Sequence, residues 1–498
     1  MQPIGTITRY YSFLDSRSRE IIDPIVQEAE NLYDFYVRLG ERTCSDEVPL
    51  SLAFIAAIWA WKAEVTEIRE KIAQKYGKAT IIAPWTFSRL SPTEGLALQR
   101  KMTEALNDAL ASMPDGWIRM ELLFRKVTIT TATTEGSEAF EDAKSLWENT
   151  PRLESYGLEI IHGEARIKDV EGEKRGAIEL YWRALDNARK QDDQYLTVMI
   201  LLDLASDTVL TDFHMSMGLI DEAHRISKRL GIPKLVRSTL CRMCVISHAL
   251  GEYDLALKSL MEAYEIKSAF RTEEYHFPLD ISDIYSDLGN GQEALSWALS
   301  FEELEEGGPG GLSFHGCPDF AMARALLLLD RMDEAIDHID RLKDIAFKTG
   351  WEPWLAGYYL VSGLNEIAND EIANGMQIIQ SSLEIGDRLN MQTFVNRCLI
   401  ALVRAEIMNY EVNDNTSDPR DSGPWMVRLE KEAREKRLPG ILMQHALLKG
   451  QFRIKLKQIG AAREILESAL EISDEPSVMT LRDQILDQVK DIEKFSLS

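Results

Sequence analysis

Three small sets of residues in this chain have types and spacings that could do chemistry. Cys241-x-x-Cys244-x-x-x-His248, with His315 and Cys317 further on, offers thiol and imidazole donors of the kind that hold zinc. Gly307-Gly-Pro-Gly-Gly311 has the glycine density of a backbone cradle for phosphate. His276, Asp280, Asp283 and Asp287 stand four, three and four residues apart, which places all four on one stripe of a helix. Such an acidic, partly aromatic stripe suits a basic peptide or a cationic ligand.

Each set also has a plainer reading. Cys244 falls where a helix packs closely on its neighbour, and a buried thiol fills such a space without any metal. The glycine run lacks the following lysine and serine or threonine, and no apolar strand precedes it, so it reads as a link between helical units. The acidic stripe is also what a solvated helix face looks like. No G-x-S-x-G, H-E-x-x-H or dinucleotide fingerprint occurs, and the eight histidines are too scattered to form an acid–base constellation. No catalytic residue, cofactor or metal is therefore expected.

The elements that must position these residues are helices. Apolar residues recur at helical spacing along nearly the whole chain. The best strand candidate, Val127 to Thr133, continues the amphipathic pattern of Trp117 to Phe124 and reads as a helix end. A turn followed by a helix with a small residue on one face then recurs. Gly251-Glu-Tyr-Asp-Leu-Ala256 is followed by Leu260, Ala263 and Ile266. Gly172 to Ala177, Gly218 to Ala223, Leu288 to Ala294, Asp330 to Ala335, Asp370 to Gly375 and Gly460 to Ala462 repeat the pattern, and Ala139 fits the same second helix. The small residue lets the second helix lie close against the first. The gap between Gly375 and Ala462 spans about two units, which predicts a degenerate repeat with helices over Met391–Glu411 and Trp425–Arg437.

These units resemble tetratricopeptide repeats, whose usual length is roughly 34 residues. The wider spacing here is similar to the superhelical repeat domains of the maltose-regulon activator family and other bacterial and archaeal signalling regulators. The resemblance implies an all-α, right-handed α-solenoid over residues 115–475, with binding rather than catalysis as its work. Residues 1–114, with Trp59, Trp61, Trp85 and Phe87, read as irregular capping hairpins, and residues 476–498 as a capping helix. In such hairpins the first helices line the concave face, so His276, Asp280, Asp283, Asp287, Arg242 and His248 become candidate groove residues. Members that clamp a carboxy-terminal carboxylate use lysine, asparagine and arginine at inward positions. Here those places hold Ser238, Cys241, Arg242 and Val245, and the clamp pattern is absent.

The bulk properties narrow the partners. At 498 residues the chain exceeds a single core, which stops growing at roughly 250–300 residues. Acidic residues outnumber basic ones 81 to 56, for a formal charge of -25. That field opposes nucleic acid and anionic membranes. The longest apolar stretch, Val48 to Trp61, falls short of the roughly 20 residues that span a bilayer. Without the apolar core of a signal peptide, and with five cysteines, the chain reads as cytoplasmic. The expected role is a scaffold or adaptor holding a basic or polar partner segment in its groove. The other reading is a regulatory sensor that binds a small molecule and signals to a partner in trans.

Overall fold

The computed structural model describes residues 7, 10–11, 13–63, 66–76, 103–111, 116–130, 134–209, 212–266, 277–304, 317–410, 423–473 and 476–497. Among them the regular elements are all helical and no strand occurs, and successive antiparallel hairpins stack as in an α-solenoid. Among the described residues no helix is long and apolar enough to cross a membrane. Contacts divide the chain into two compact units. Unit 1 is Met1–Arg242 with Glu265–Glu273, and unit 2 is Met243–Tyr264 with Glu274–Ser498.

Unit 1 contains α1 (Ser16–Glu28), α2 (Leu32–Ser45), α3 (Leu50–Lys62), α4 (Thr66–Tyr76), α5 (103–111), α6 (Trp117–Thr130), α7 (Thr134–Asn149), α8 (Gly157–Val170), α9 (Lys174–Lys190), α10 (Gln194–Thr208) and α11 (Phe213–Leu230). Val127 to Thr130 is the last turn of α6, as the continued amphipathic pattern requires. Aromatic side chains join the amino-terminal helices to the hairpins that follow. Trp59 is fully buried, stacks on Tyr36 at 4.5 Å and meets Tyr10 edge-on at 6.0 Å. The hydroxyls of Tyr10 and Tyr156 both donate to Glu121 Oε1 at 2.9 Å. Trp85 and Phe87 lie outside the described residues.

Helix α12 (Pro233–Leu250) ends in unit 2. There follow α13 (Tyr253–Glu265), α14 (Phe277–Asp287), α15 (Gly291–Leu304), α16 (Pro318–Leu328), α17 (Met332–Thr349), α18 (Glu352–Ala368), α19 (Ile372–Arg388), α20 (Gln392–Asn409), α21 (Pro424–Glu435), α22 (Pro439–Lys455), α23 (Ile459–Ala469) and α24 (Met479–Leu497). The degenerate repeat is α20 with α21. Met426 stands at its small-residue place, which is why the motif does not show.

One local device makes most hairpins. A residue in the left-handed region closes the first helix, and the small residue follows five places later. Gly172, Gly251, Gly289, Asp330, Asp370 and Lys457 have positive φ and precede Ala177, Ala256, Ala294, Ala335, Gly375 and Ala462. The amide after each left-handed residue donates to the carbonyl five residues back, as Glu252 N does to Ser247 O. This caps carbonyls that the helix end leaves free. The alanines are buried and so is Gly375. The turn expected at Gly218 is corrected, because Gly218 lies inside α11. The break comes earlier, where Asp212 caps α11 by accepting from Met215 N at 2.9 Å. Ala223 is nonetheless fully buried. The run Gly307 to Gly311 and the segment 413–422 lie outside the described residues.

Within unit 2 the early hairpins touch the late ones. Asn396 Nδ2 donates to Ala249 O at 2.9 Å, Tyr253 OH to Gln444 Oε1 at 3.4 Å, and Thr480 N to Asp254 Oδ2 at 2.9 Å. Early and late hairpins of the unit are thus tied together by direct hydrogen bonds.

Candidate functional site

The acidic stripe of α14 is the starting point. Three- and four-residue spacing puts Asp280, Asp283 and Asp287 on one face, and that face looks across the interior of unit 2 at two arginines. Arg324 on α16 reaches Asp283 Oδ1 at 2.7 Å and also bridges to Asp287. Arg397 on α20 reaches Asp283 Oδ2 at 3.1 Å and Asp287 Oδ2 at 2.8 Å. His248 Nε2 lies 2.6 Å from Asp287 Oδ2. Asp283, Arg324, Arg397 and His248 are all buried.

Burial alone would raise the Asp287 carboxyl, but the two guanidiniums and the His248 hydrogen bond hold it well below the usual carboxylate range. Asp280 goes the other way. Burial, reinforced by the neighbouring charge of Asp283, pushes it well above that range. The stripe is therefore not the open acidic surface that its sequence suggests. Its two charged carboxylates are neutralised by the chain's own arginines, since a buried charge must be paired.

The remaining candidates separate. Arg242 is exposed at the end of unit 1, where its charge helps lower Asp203. Burial opposes that lowering, and His162 Nε2, 2.8 Å from Asp203, drives it. His276 and His315 lie outside the described residues. The zinc-like set is not assembled among the described residues: His248 is committed to Asp287, and Cys244 is buried in helix packing. Cys317 precedes α16, and burial pushes its thiol up to about 11. No group of three or more histidine, cysteine or carboxylate side chains there is placed to hold a metal ion.

Beside the ion-pair network lies a cavity of about 210 Å³ within unit 2. Leu327 and Leu328 of α16, Leu360 and Leu364 of α18, and Ile400 and Met408 of α20 make its apolar wall. Met408 is 52% exposed and Leu328 37%, so both stand at the rim. Asp287, Arg324 and Arg397 contribute from the network side, and Arg404 projects from α20. Arg404 is enclosed by surrounding helices, and that burial pulls its pKa down, yet much of its surface stays accessible. A side chain lining a cavity that opens to solvent has this combination. Arg404 has no hydrogen-bond or ion-pair partner among the described residues.

Sequence reasoning missed Arg324, Arg397 and Arg404. Their signal was available: each is a guanidinium set amid long apolar runs, Arg324 in PDFAMARALLL and Arg397 and Arg404 in FVNRCLIALVRAEI. A charge in a helix that is otherwise apolar nearly all round must find a partner or line a cavity.

No protein-family model matches this sequence, and no curated protein does. Solved structures of helical repeat proteins are similar in part. A tetratricopeptide repeat protein from Parabacteroides merdae matches with 16% identity and a TM-score of 0.36, over 56% of this chain and 98% of that one. A Rap protein complexed with competence and sporulation factor matches with 11% identity and a TM-score of 0.41, over 78% and 98%. A signal-transduction ATPase with numerous domains and a tetratricopeptide repeat sensor, from Pyrococcus horikoshii, matches with 12% identity and a TM-score of 0.30, over 98% of this chain and 65% of that one.

Proposed function

We propose that this protein is a non-catalytic regulatory sensor whose unit 2 binds a small molecule in the cavity beside Arg404 and presents the result to a protein partner. The observation that carries this reading is the Arg404 guanidinium, unpartnered among the described residues, in a largely apolar cavity open at its rim. Small-molecule sites have this composition, an apolar wall with a few placed polar groups.

The adaptor reading, in which a basic segment lies along the acidic stripe, has less support. Asp283 and Asp287 already bind Arg324 and Arg397, and a cationic segment would have to displace both. A cavity of about 210 Å³ is also too small for an extended peptide. Partner contact then belongs to another surface of the helical stack.

The test is a melting-temperature screen of the full chain against small metabolites. A ligand at about 100 times its Kd raises stability by roughly 2.7 kcal/mol. Ala368 is exposed and lines the cavity, so Ala368→Trp should fill the space without disturbing the core. A shift seen in the native chain and lost in Ala368→Trp supports the sensor. Shifts that survive in Ala368→Trp, or none at all, would sink it.

A further inference from the structure

The charges around this cavity define what it takes. Asp283 and Asp287 carry two negative charges, and Arg324 and Arg397 carry two positive ones that are fully engaged with them. Arg404 is the surplus, a single guanidinium that offers a planar fork of N–H donors. The other walls are mostly leucine, isoleucine, alanine and methionine, with the hydroxyls of Tyr253 and Ser286 as the remaining polar groups. We infer that the ligand is a small monocarboxylate with an apolar body, its carboxylate paired with Arg404 and its body against Leu360, Leu364 and Ile400. This deepens the sensor reading and rests on it.

Size and charge fix the class. A cavity of about 150 Å³ holds benzene. The 210 Å³ here holds that much apolar volume with roughly a carboxylate group more. An apolar body of about six to eight carbons fits, with its end toward the rim at Leu328 and Met408. A phosphate dianion would face a single guanidinium unpaired among the described residues, with only the Tyr253 and Ser286 hydroxyls to meet its remaining oxygens. A cationic amphiphile would place like charge against Arg404.

The last turns of α14, α16, α18 and α20 all contribute to the wall. Their carbonyl ends carry partial negative charge. That helps Arg404 stand without a counter-ion, but it makes no hydrogen bond with it. A bound carboxylate supplies two.

The experiment titrates the full chain with octanoate, octanol and octylammonium by calorimetry, with phenylacetate as a second carboxylate. Octanoate and phenylacetate should bind, and octanol and octylammonium should bind about tenfold or more weakly. Arg404→Gln should weaken octanoate by about tenfold or more and leave octanol unchanged. It removes no hydrogen bond or ion pair among the described residues, so its circular dichroism and melting should stay native. Octanol or octylammonium binding as well as octanoate, with binding lost in Ala368→Trp, overturns the ligand class and leaves the cavity as a site. None of the four probes binding overturns the class, and the metabolite screen then decides the sensor. Carboxylate binding that persists in Ala368→Trp overturns both.

Discussion

Gly440, in the first turn of α22, lies against Gly251, the left-handed residue between α12 and α13, backbone to backbone. A Cβ built on Gly440 would overlap the Gly251 carbonyl, and one on Gly251 would come 2.7 Å from Ile441 N. No side chain fits between these two segments, although they are far apart in the chain. Glycine is required at 440 by close approach, and at 251 by approach together with a φ of +78°.

Gly440→Ala should therefore cost on the order of 1–3 kcal/mol, as overpacking does. The control is Gly218→Ala, which lies inside α11 with nothing within 4 Å of a Cβ. It should be neutral or raise stability by up to about 1 kcal/mol. Urea denaturation of both variants checks this. Equal midpoints would show that the early and late hairpins of unit 2 do not meet as described.

Arg397→Leu should be the most damaging single change in unit 2. It leaves Asp283 and Asp287 sharing one buried guanidinium, and breaking a buried pair costs roughly 3–5 kcal/mol. Adding Asp283→Asn should recover part of the loss, because the carboxylate that had lost its partner is then gone. Additive effects in the resulting double-mutant cycle would mean that the two residues are not coupled.

The repeat architecture was legible because packing writes it locally. A left-handed residue and a small one five places on recur at Gly251 and Ala256, Asp330 and Ala335, and Asp370 and Gly375. The motif failed at Gly218, where the same letters lie inside a helix, since glycine tolerates helical φ as readily as positive φ. The site was legible only in part. Spacing placed Asp280, Asp283 and Asp287 on one face. It could not show that α16 and α20 bring Arg324 and Arg397 across to that face, because no local pattern records which helices meet over such separations. Arg404 takes its meaning from the cavity that α14, α16, α18 and α20 build around it, which no local pattern records.

Ala256→Leu and Ala294→Leu test the register. Both alanines are fully buried, and Ser282 Oγ donates to Ala294 O at 2.7 Å where α14 crosses α15. A leucine at either place should cost on the order of 1–3 kcal/mol. The loss should reach neighbouring hairpins, since stability in a stack depends on adjacent interfaces. Hydrogen exchange on Ala294→Leu should show faster exchange in α16 as well as in α14 and α15. Faster exchange confined to α15 would mean that the hairpins do not support one another.

Two buried groups in unit 2 should give opposite pH dependences. Burial pulls His445 of α22 down from 6.5 to about 4, against the opposing pull of Glu430. Between those values the unfolded chain binds the extra proton, so His445 makes stability rise with pH from about 4 to 6.5 and adds nothing further above that. Asp280 is pushed well above 3.8, so over the acidic range the folded state binds the extra proton. Its contribution is fully present below 3.8 and is lost as pH rises through the folded value. Asp287 is held well below 3.8, so its contribution is lost only in stronger acid. The comparison to make is the native chain against His445→Gln and Asp280→Asn, by urea midpoint from pH 4.5 to 7. His445→Gln should lose less stability than the native chain on acidification, by up to about 1.4 kcal/mol per pH unit, and Asp280→Asn should lose more. Three parallel profiles would show that neither group is perturbed by its place in the fold.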